Sequence, residues 1–258
     1  MSSMAPAVEC CIKIITYLSE QTAPVGISNI SAQTDINKNM VSRILHTLKE
    51  GDWVKCDEKS CYSLTLLPFK IASRVVEHTS LVNDAVLFLR NFWKKYGEST
   101  YLGILHDDQV LYLLHMDSVQ PVKVAGVVGG SYPLYCTAPG KVLLAYCDEK
   151  TVSEYIETHT LKKCTENTLI TKEKLLQELA QIRRMGYALD REEFGRGIVC
   201  IAAPVFGCRG EVLGTVGCSL STLSCSSDEI YDYCGKDLVL CAKEISAAMG
   251  YASEKGEN

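Results

Sequence analysis

The sequence predicts an α+β protein in two parts, on three observations. Helical periodicity, a tight polar break, a second helical pattern and a β-hairpin signal all fall within residues 1–67. A helical stretch over 68–80 then links this region to the rest of the chain. From Gly97 onward, within 81–258, apolar β-prone runs mix with amphipathic helices, the pattern of an α+β domain.

Val8, Cys11, Ile12, Ile15 and Leu18 recur at helical spacing and predict a first helix ending near Glu20. "QTAPVG" breaks it, and Ile27, Ile30 and Ala32 mark a short second helix that stops at Asp35. Asn37 can cap a third helix through its side-chain oxygen, with Val41, Ile44, Leu45 and Leu48 inward and Gly51 at its end. "WVKCD-EKS-CYSL" follows as two short alternating segments around a polar turn. Helix, helix, turn, helix and hairpin in this order make a winged helix-turn-helix, which lays one face of its third helix in a DNA major groove.

Charge agrees with that placement. The whole chain carries a formal −5, so any attraction to nucleic acid must be local. Residues 1–74 hold eight Lys/Arg against seven Asp/Glu, and the remainder is −6. No acid lies between Ile36 and Lys49. Lys38, Asn39, Ser42, Arg43 and His46 turn outward on the third helix, and Met40 belongs to the same candidate surface. Arg suits guanine, Asn suits adenine, and Ser or Lys suits a phosphate. Lys59 at the hairpin tip is placed for a neighbouring phosphate. A solvated helix face is the plainer alternative, and the complete order of elements argues against it.

Ile71, Val75 and Val76 form the connecting helix, and Leu81, Ala85, Val86, Leu89, Phe92 and Trp93 form the next, with the domain boundary between His78 and Leu81. "STYLGILH-DDQ-VLYLLHM" reads as a hairpin and "VKVAGVV" as a third strand. "APGKVLLAYC" and "DEKTVSEYIETH" are helices, the second capped by Asp148. "KEKLLQELAQIRRMG" is an amphipathic helix closed by Gly186, and "GIVCIAAPVFGCRGEVLGTVGCSLS" is two strands about an Arg-Gly turn. A long helix from Ser227 to Met249 completes the expected elements.

The thirteen cysteines are odd in number, scattered through apolar patterns, and form no C-x-x-C pair. With no signal-peptide pattern and no apolar run near the ~18 residues of a membrane span, a reduced, cytoplasmic protein with no membrane contact is expected. Nothing marks an enzyme: G-x-S-x-G, H-E-x-x-H, P-loop and G-x-G-x-x-G are all missing. His106 and His115, on opposite arms of a hairpin, would need to approach each other with Asp107 or Asp117 to hold a metal. Cys200 lies beyond Arg191 and Arg196 without a histidine nearby, so a buried thiol is the simpler reading than a nucleophile. The glycines of "AGVVGGSYPLYCTAPGK" and the helix start at Pro139–Gly140 offer an anion site at free backbone N–H groups, with a plain turn as the alternative.

"VGISNISAQTDINKNMVSRILHTLKEGDWVK" and "YSLTLLPFKIA" resemble the DNA-binding half of the IclR family of bacterial transcriptional regulators. "GSYPLYCTAPGKVLLAY" and "YALDREEFGRGIVCIAAPVFGCRGEVLGTVGCSLS" resemble two segments of that family's effector domain, and the likeness runs in order from about Val8 to Met249. The resemblance implies a homodimer, or a dimer of dimers, on palindromic double-stranded promoter DNA. It also implies a GAF-like C-terminal domain that senses a small organic acid and needs no cofactor. Carried over by position, the effector pocket comprises Val122, Tyr132, Ala138, Pro139, Asp190, Cys200, Gly217 and Ser219. There are departures: Asp35 replaces a glycine of the turn and Asn37 a proline, Gly217 stands where a serine hydroxyl is common, and Tyr132 where a smaller aliphatic is usual. Two rival functions remain at this stage, an enzyme using Cys200 and Asp190 and a winged helix that binds protein.

Overall fold

A computed structural model describes residues 5–77 and 80–252, with the backbone alone at 73–77 and 80. The chain divides into two compact units, residues 1–78 and 79–258. The junction at 78–79 and the side chains of Val75 and Val76 lie outside what is described.

In the first unit, α1 (Pro6–Ser19), β1 (Val25–Gly26), α2 (Ile27–Thr34), α3 (Lys38–Glu50), β2 (Val54–Cys56), β3 (Cys61–Leu64) and α4 (Leu67–Glu77) follow in order. Ile14, Leu18, Ile30, Val41, Leu45 and Val54 form its core. The buried stripe of α1 differs from the predicted one: Ile14 and Leu18 point inward, while Val8 and Ile12 are 57% and 60% exposed. Ile14 and Leu18, four residues apart, are its buried centre, and Cys11 and Ile15 of the predicted stripe pack partly buried beside them, together with Cys10 and Tyr17. The break after α1 also holds a strand that the sequence did not announce, because Val25 pairs with Tyr62 and gives the order β1-β3-β2.

Asp35 ends α2 in the left-handed region (φ 55°, ψ 35°), which an aspartate adopts at modest cost. Asn37 then caps α3, its Oδ1 accepting from the Met40 N–H at 2.9 Å. Removing that acceptor in Asn37→Ala should lower the stability of this unit by about 1 kcal/mol, measured by urea unfolding followed by helical circular dichroism.

The second unit contains α5 (Ser80–Tyr96), β4 (Ser99–His106), β5 (Gln109–Met116), β6 (Ser131–Pro133), α6 (Ala138–Ala145), α7 (Glu149–Thr158), α8 (Lys172–Met185), β7 (Ala188–Arg191), β8 (Ile198–Phe206), β9 (Val212–Ser221) and α9 (Lys236–Ala248). Six antiparallel strands lie in the order β6-β5-β4-β9-β8-β7. Helices cover both faces, α6 and α8 on one, α5 and α9 on the other. Both faces of β8 are therefore buried, and alternation sends Cys200 and Ala202 toward α6 while Ile201 meets the turn before α9.

Three expectations change here. "VKVAGVV" is not a strand: Val122, Val127 and Val128 are more than half exposed, and Ser131–Pro133 takes the place beside β5. Ala188–Arg191, to which the sequence pattern assigned no element, is the edge strand β7. The C-terminal helix starts later than Ser227, with a π-helical turn over Tyr231–Gly235 before α9.

Candidate DNA-reading helix and effector cavity

The outer face of α3 carries Lys38, Asn39, Ser42, Arg43 and His46, all exposed, over the buried Val41, Ile44, Leu45 and Leu48. Met40 is the exception in the predicted set: it is half-buried and packs toward the core. Among the described residues Lys38, Arg43 and Lys59 have no carboxylate partner, whereas His46 Nδ1 lies 3.9 Å from Glu50 Oε1. Unpaired cations on a fixed helix are available to phosphate without first breaking an ion pair. The wing tip is built by Asp57, whose Oδ1 accepts from the N–H groups of Lys59 (2.9 Å) and Cys61 (2.8 Å) and so holds Lys59 on the turn.

In the second unit a cavity of about 550 Å³ opens between the sheet, the start of α6, the 122–126 segment and the 194–198 loop. Register explains its floor. Asp190 pairs with Cys200, Cys200 with Ser219, and Tyr101 with Gly217, so residues far apart in sequence form adjacent rows on one sheet face. Six of the eight positions carried over by resemblance line it: Val122, Tyr132, Pro139, Asp190, Cys200 and Ser219. Ala138 is fully buried in the core and does not. Gly217 does not either, because the Tyr101 ring lies over it, and a Cβ at 217 would meet Tyr101 Cζ at 2.2 Å.

Lining residues that sequence reasoning missed include Tyr101, Tyr112, His115, Thr137, Phe194 and Arg196. Tyr101 stacks on Tyr112 with ring centroids 4.5 Å apart, and Tyr112 in turn meets Tyr132 at 4.4 Å. This ladder joins three strands, and a one-dimensional pattern of apolar runs gives no sign of it. The helix start offers fewer donors than expected: Pro139 has no N–H, and Gly140 N–H is taken by Thr137 Oγ1 at 3.1 Å. Gly140 itself is a packing glycine, since a Cβ there would lie 2.5 Å from the Leu134 backbone.

Asp190 is 2% exposed, and burial pushes its carboxyl up to about 7, although it accepts from Glu193 N–H at 2.6 Å and Lys141 lies nearby. Between the ordinary carboxyl value of 3.8 and about 7 the native state holds a proton that the unfolded chain has lost. Its contribution to stability is therefore largest at low pH and declines as pH rises from about 4 to 7. Asp190→Asn should flatten that decline, seen as a smaller fall in Tm between pH 5 and pH 8 than in the unaltered protein.

Burial also raises the Cys200 thiol far above its ordinary value, and its Sγ lies 3.0 Å from Ser219 Oγ. The neighbouring Asp190 carboxyl raises the thiol further instead of ionising it, and its hydrogen bond goes to a serine hydroxyl, so the cysteine is a wall and not a nucleophile. The two hairpin histidines do not meet: Tyr101 pairs with His115, while His106 pairs with Gln109 at the other end. Among the described residues no cluster of three His, Cys, Asp or Glu could hold a metal, and no helix is long and apolar enough to cross a membrane.

Comparison with known proteins agrees with both units. The profile of the IclR helix-turn-helix domain matches residues 8–58, and that described as bacterial transcriptional regulator IclR C-terminal matches residues 73–247. The HTH-type transcriptional regulator KdgR of Escherichia coli is 36% identical over 239 residues, covering 92% of this chain and 90% of that protein. XynR of the same organism is 29% identical and covers 95% and 97%. The crystal structure of Thermotoga maritima IclR matches with a TM-score of 0.80 at 26% identity, over 95% of this chain and 99% of that one. These relatives are regulators of transcription, not enzymes. The chain thus belongs to the IclR family of bacterial transcriptional regulators, with a DNA-binding helix-turn-helix domain followed by an effector domain.

Proposed function

We propose that Lys38, Asn39, Ser42, Arg43 and His46 of α3, with Lys59 of the wing, contact promoter DNA, and that the cavity of the second unit takes a small organic acid. The observation that carries the DNA half is the exposed face of α3, whose Lys38 and Arg43 lack ion-pair partners among the described residues. For the ligand half, Lys123 and Arg196 line the cavity beside the polar row of Asp190, Ser219 and Ser221. The regulator is a homodimer, or a dimer of dimers, on a palindromic operator. Val8 and Ile12 on α1, Leu66 at 81%, and Phe69 and Ile71 on α4 are exposed apolar side chains available to a second copy. A DNA partner implies a cytoplasmic protein.

Residues 68–80 are the covalent path between the units, and the ligand acts on DNA affinity through them. It can do so only by its differential affinity for DNA-competent and DNA-incompetent arrangements. The test is fluorescence anisotropy on duplexes from upstream of the protein's own gene and its neighbours, titrated at several salt concentrations. Tight binding to one duplex, steeply weakened by salt, is expected, and an operator affinity changed by a saturating carboxylate identifies an effector. Salt-independent binding, or equal weak binding to a scrambled duplex, would defeat the reading.

A further inference from the structure

The cavity carries one feature that a generic acid pocket does not require. Tyr101 is 1% exposed, the most deeply buried of the cavity's polar lining residues, yet its hydroxyl makes no hydrogen bond of good geometry among the described residues, with the Tyr112 hydroxyl its neighbour across the stack. A buried hydroxyl without a partner is costly, and native proteins keep few of them. The ring cannot readily swing away, because it stacks on Tyr112 at 4.5 Å with an 11° interplanar angle. The end of the phenol fills the space of a side chain at position 217: a Cβ there would lie 2.3 Å from the Tyr101 hydroxyl oxygen and 2.2 Å from Cζ. Glycine at 217 and tyrosine at 101 therefore form a complementary pair, in which the sheet position loses its side chain and its cross-strand neighbour delivers a hydroxyl over it.

Resting on the organic-acid reading of the cavity, we propose that the Tyr101 hydroxyl is its deep hydrogen-bond donor. It selects carboxylates that bear a hydroxyl or carbonyl oxygen at the end remote from the acid. The acid end lies toward the rim, where the half-exposed Lys123 and the exposed Arg196 now pair with the surface carboxylates Asp117 and Glu166. Such surface pairs are weak and exchange readily for a ligand carboxylate. The oxygen end reaches Tyr101, the aromatic ladder packs on the carbon chain between, and the ligand supplies the missing partner. The unliganded protein thus keeps a destabilising group for the sake of recognition.

Two measurements on the full chain test this. The first needs no ligand: Tyr101→Phe removes an unsatisfied hydroxyl and leaves the stack, so the Tm of the second unit should rise by about 3 °C. An unchanged or lowered Tm would show that the hydroxyl is already satisfied within the protein and would overturn the proposal. The second is calorimetric titration with straight-chain carboxylates from propanoate to octanoate and the matched ω-hydroxy acids. The unaltered protein should favour the hydroxy acid of the best-fitting length by about tenfold or more, and in Tyr101→Phe that preference should vanish, both members binding alike. A preference that survives in Tyr101→Phe, or equal binding of each pair by the unaltered protein, removes the role of Tyr101 while leaving the cavity an acid site. Failure of every acid to bind removes the organic-acid reading, and the proposal with it.

Discussion

Arg43→Ala is expected to weaken operator binding by about 5- to 150-fold for each recognition helix, the range of one lost bidentate base contact of about 1–3 kcal/mol. On a two-fold operator both copies lose the contact, so the fold losses multiply. The side chain is exposed and has no carboxylate partner among the described residues, so its loss leaves the fold of the first unit unchanged. Discrimination between operator and scrambled duplex should fall with affinity, because a base contact carries sequence information. Lys59→Ala makes the contrast: a lost phosphate contact weakens binding to all duplexes alike and lowers the salt slope by about 1. Anisotropy titrations of both variants at several salt concentrations separate the roles. Arg43→Ala binding like the unaltered protein would take α3 out of the groove.

The second large effect lies in the effector domain. Lys141 is fully buried, with its Nζ 3.1 Å from Glu178 Oε1 and bonded also to Glu193 Oε1. Burial raises the Glu193 carboxyl, and its second oxygen has no partner among the described residues, so this carboxylate depends on the lysine. Breaking a buried pair by removing one member costs about 3–5 kcal/mol, because it strands the other charge. Lys141→Met, which keeps most of the volume, should therefore lower the unfolding free energy of the second unit by roughly that amount. The double variant with Glu193→Gln should recover part of the loss. The two units should be followed as separate transitions, since a single two-state value is undefined for such a chain.

The same lysine connects stability to the cavity. Glu193 N–H donates to Asp190 Oδ1 at 2.6 Å, and Thr168 Oγ1 donates to the Glu193 carbonyl at 2.7 Å, so the turn that carries Asp190 into the pocket is tied to Lys141. A variant that retains its fold but loses this tie should bind carboxylates more weakly, which the calorimetric series also reads.

The sequence alone determined the features that arise within about a dozen residues of chain. Asn37 capped α3, Asp148 capped α7 and Gly186 closed α8, because caps and periodicity act between neighbours on one helix. The outward set on α3 was legible for the same reason, apart from Met40, whose flexible side chain folds back on the core. Resemblance supplied Asp190, Cys200 and Ser219, and register then showed why they meet.

Tertiary structure alone decided what depends on pairing between distant segments. The edge beside β5 went to Ser131–Pro133, although the valine-rich 122–128 has the stronger β propensity, because pairing to a particular neighbour outweighs intrinsic preference. Tyr101 over Gly217, the Tyr112–Tyr132 contact and the Lys141–Glu193 pair join residues twenty or more positions apart. Their contacts exist only once the strands have taken their register. A local pattern records which face a residue occupies, and only the assembled sheet records which residue stands opposite it.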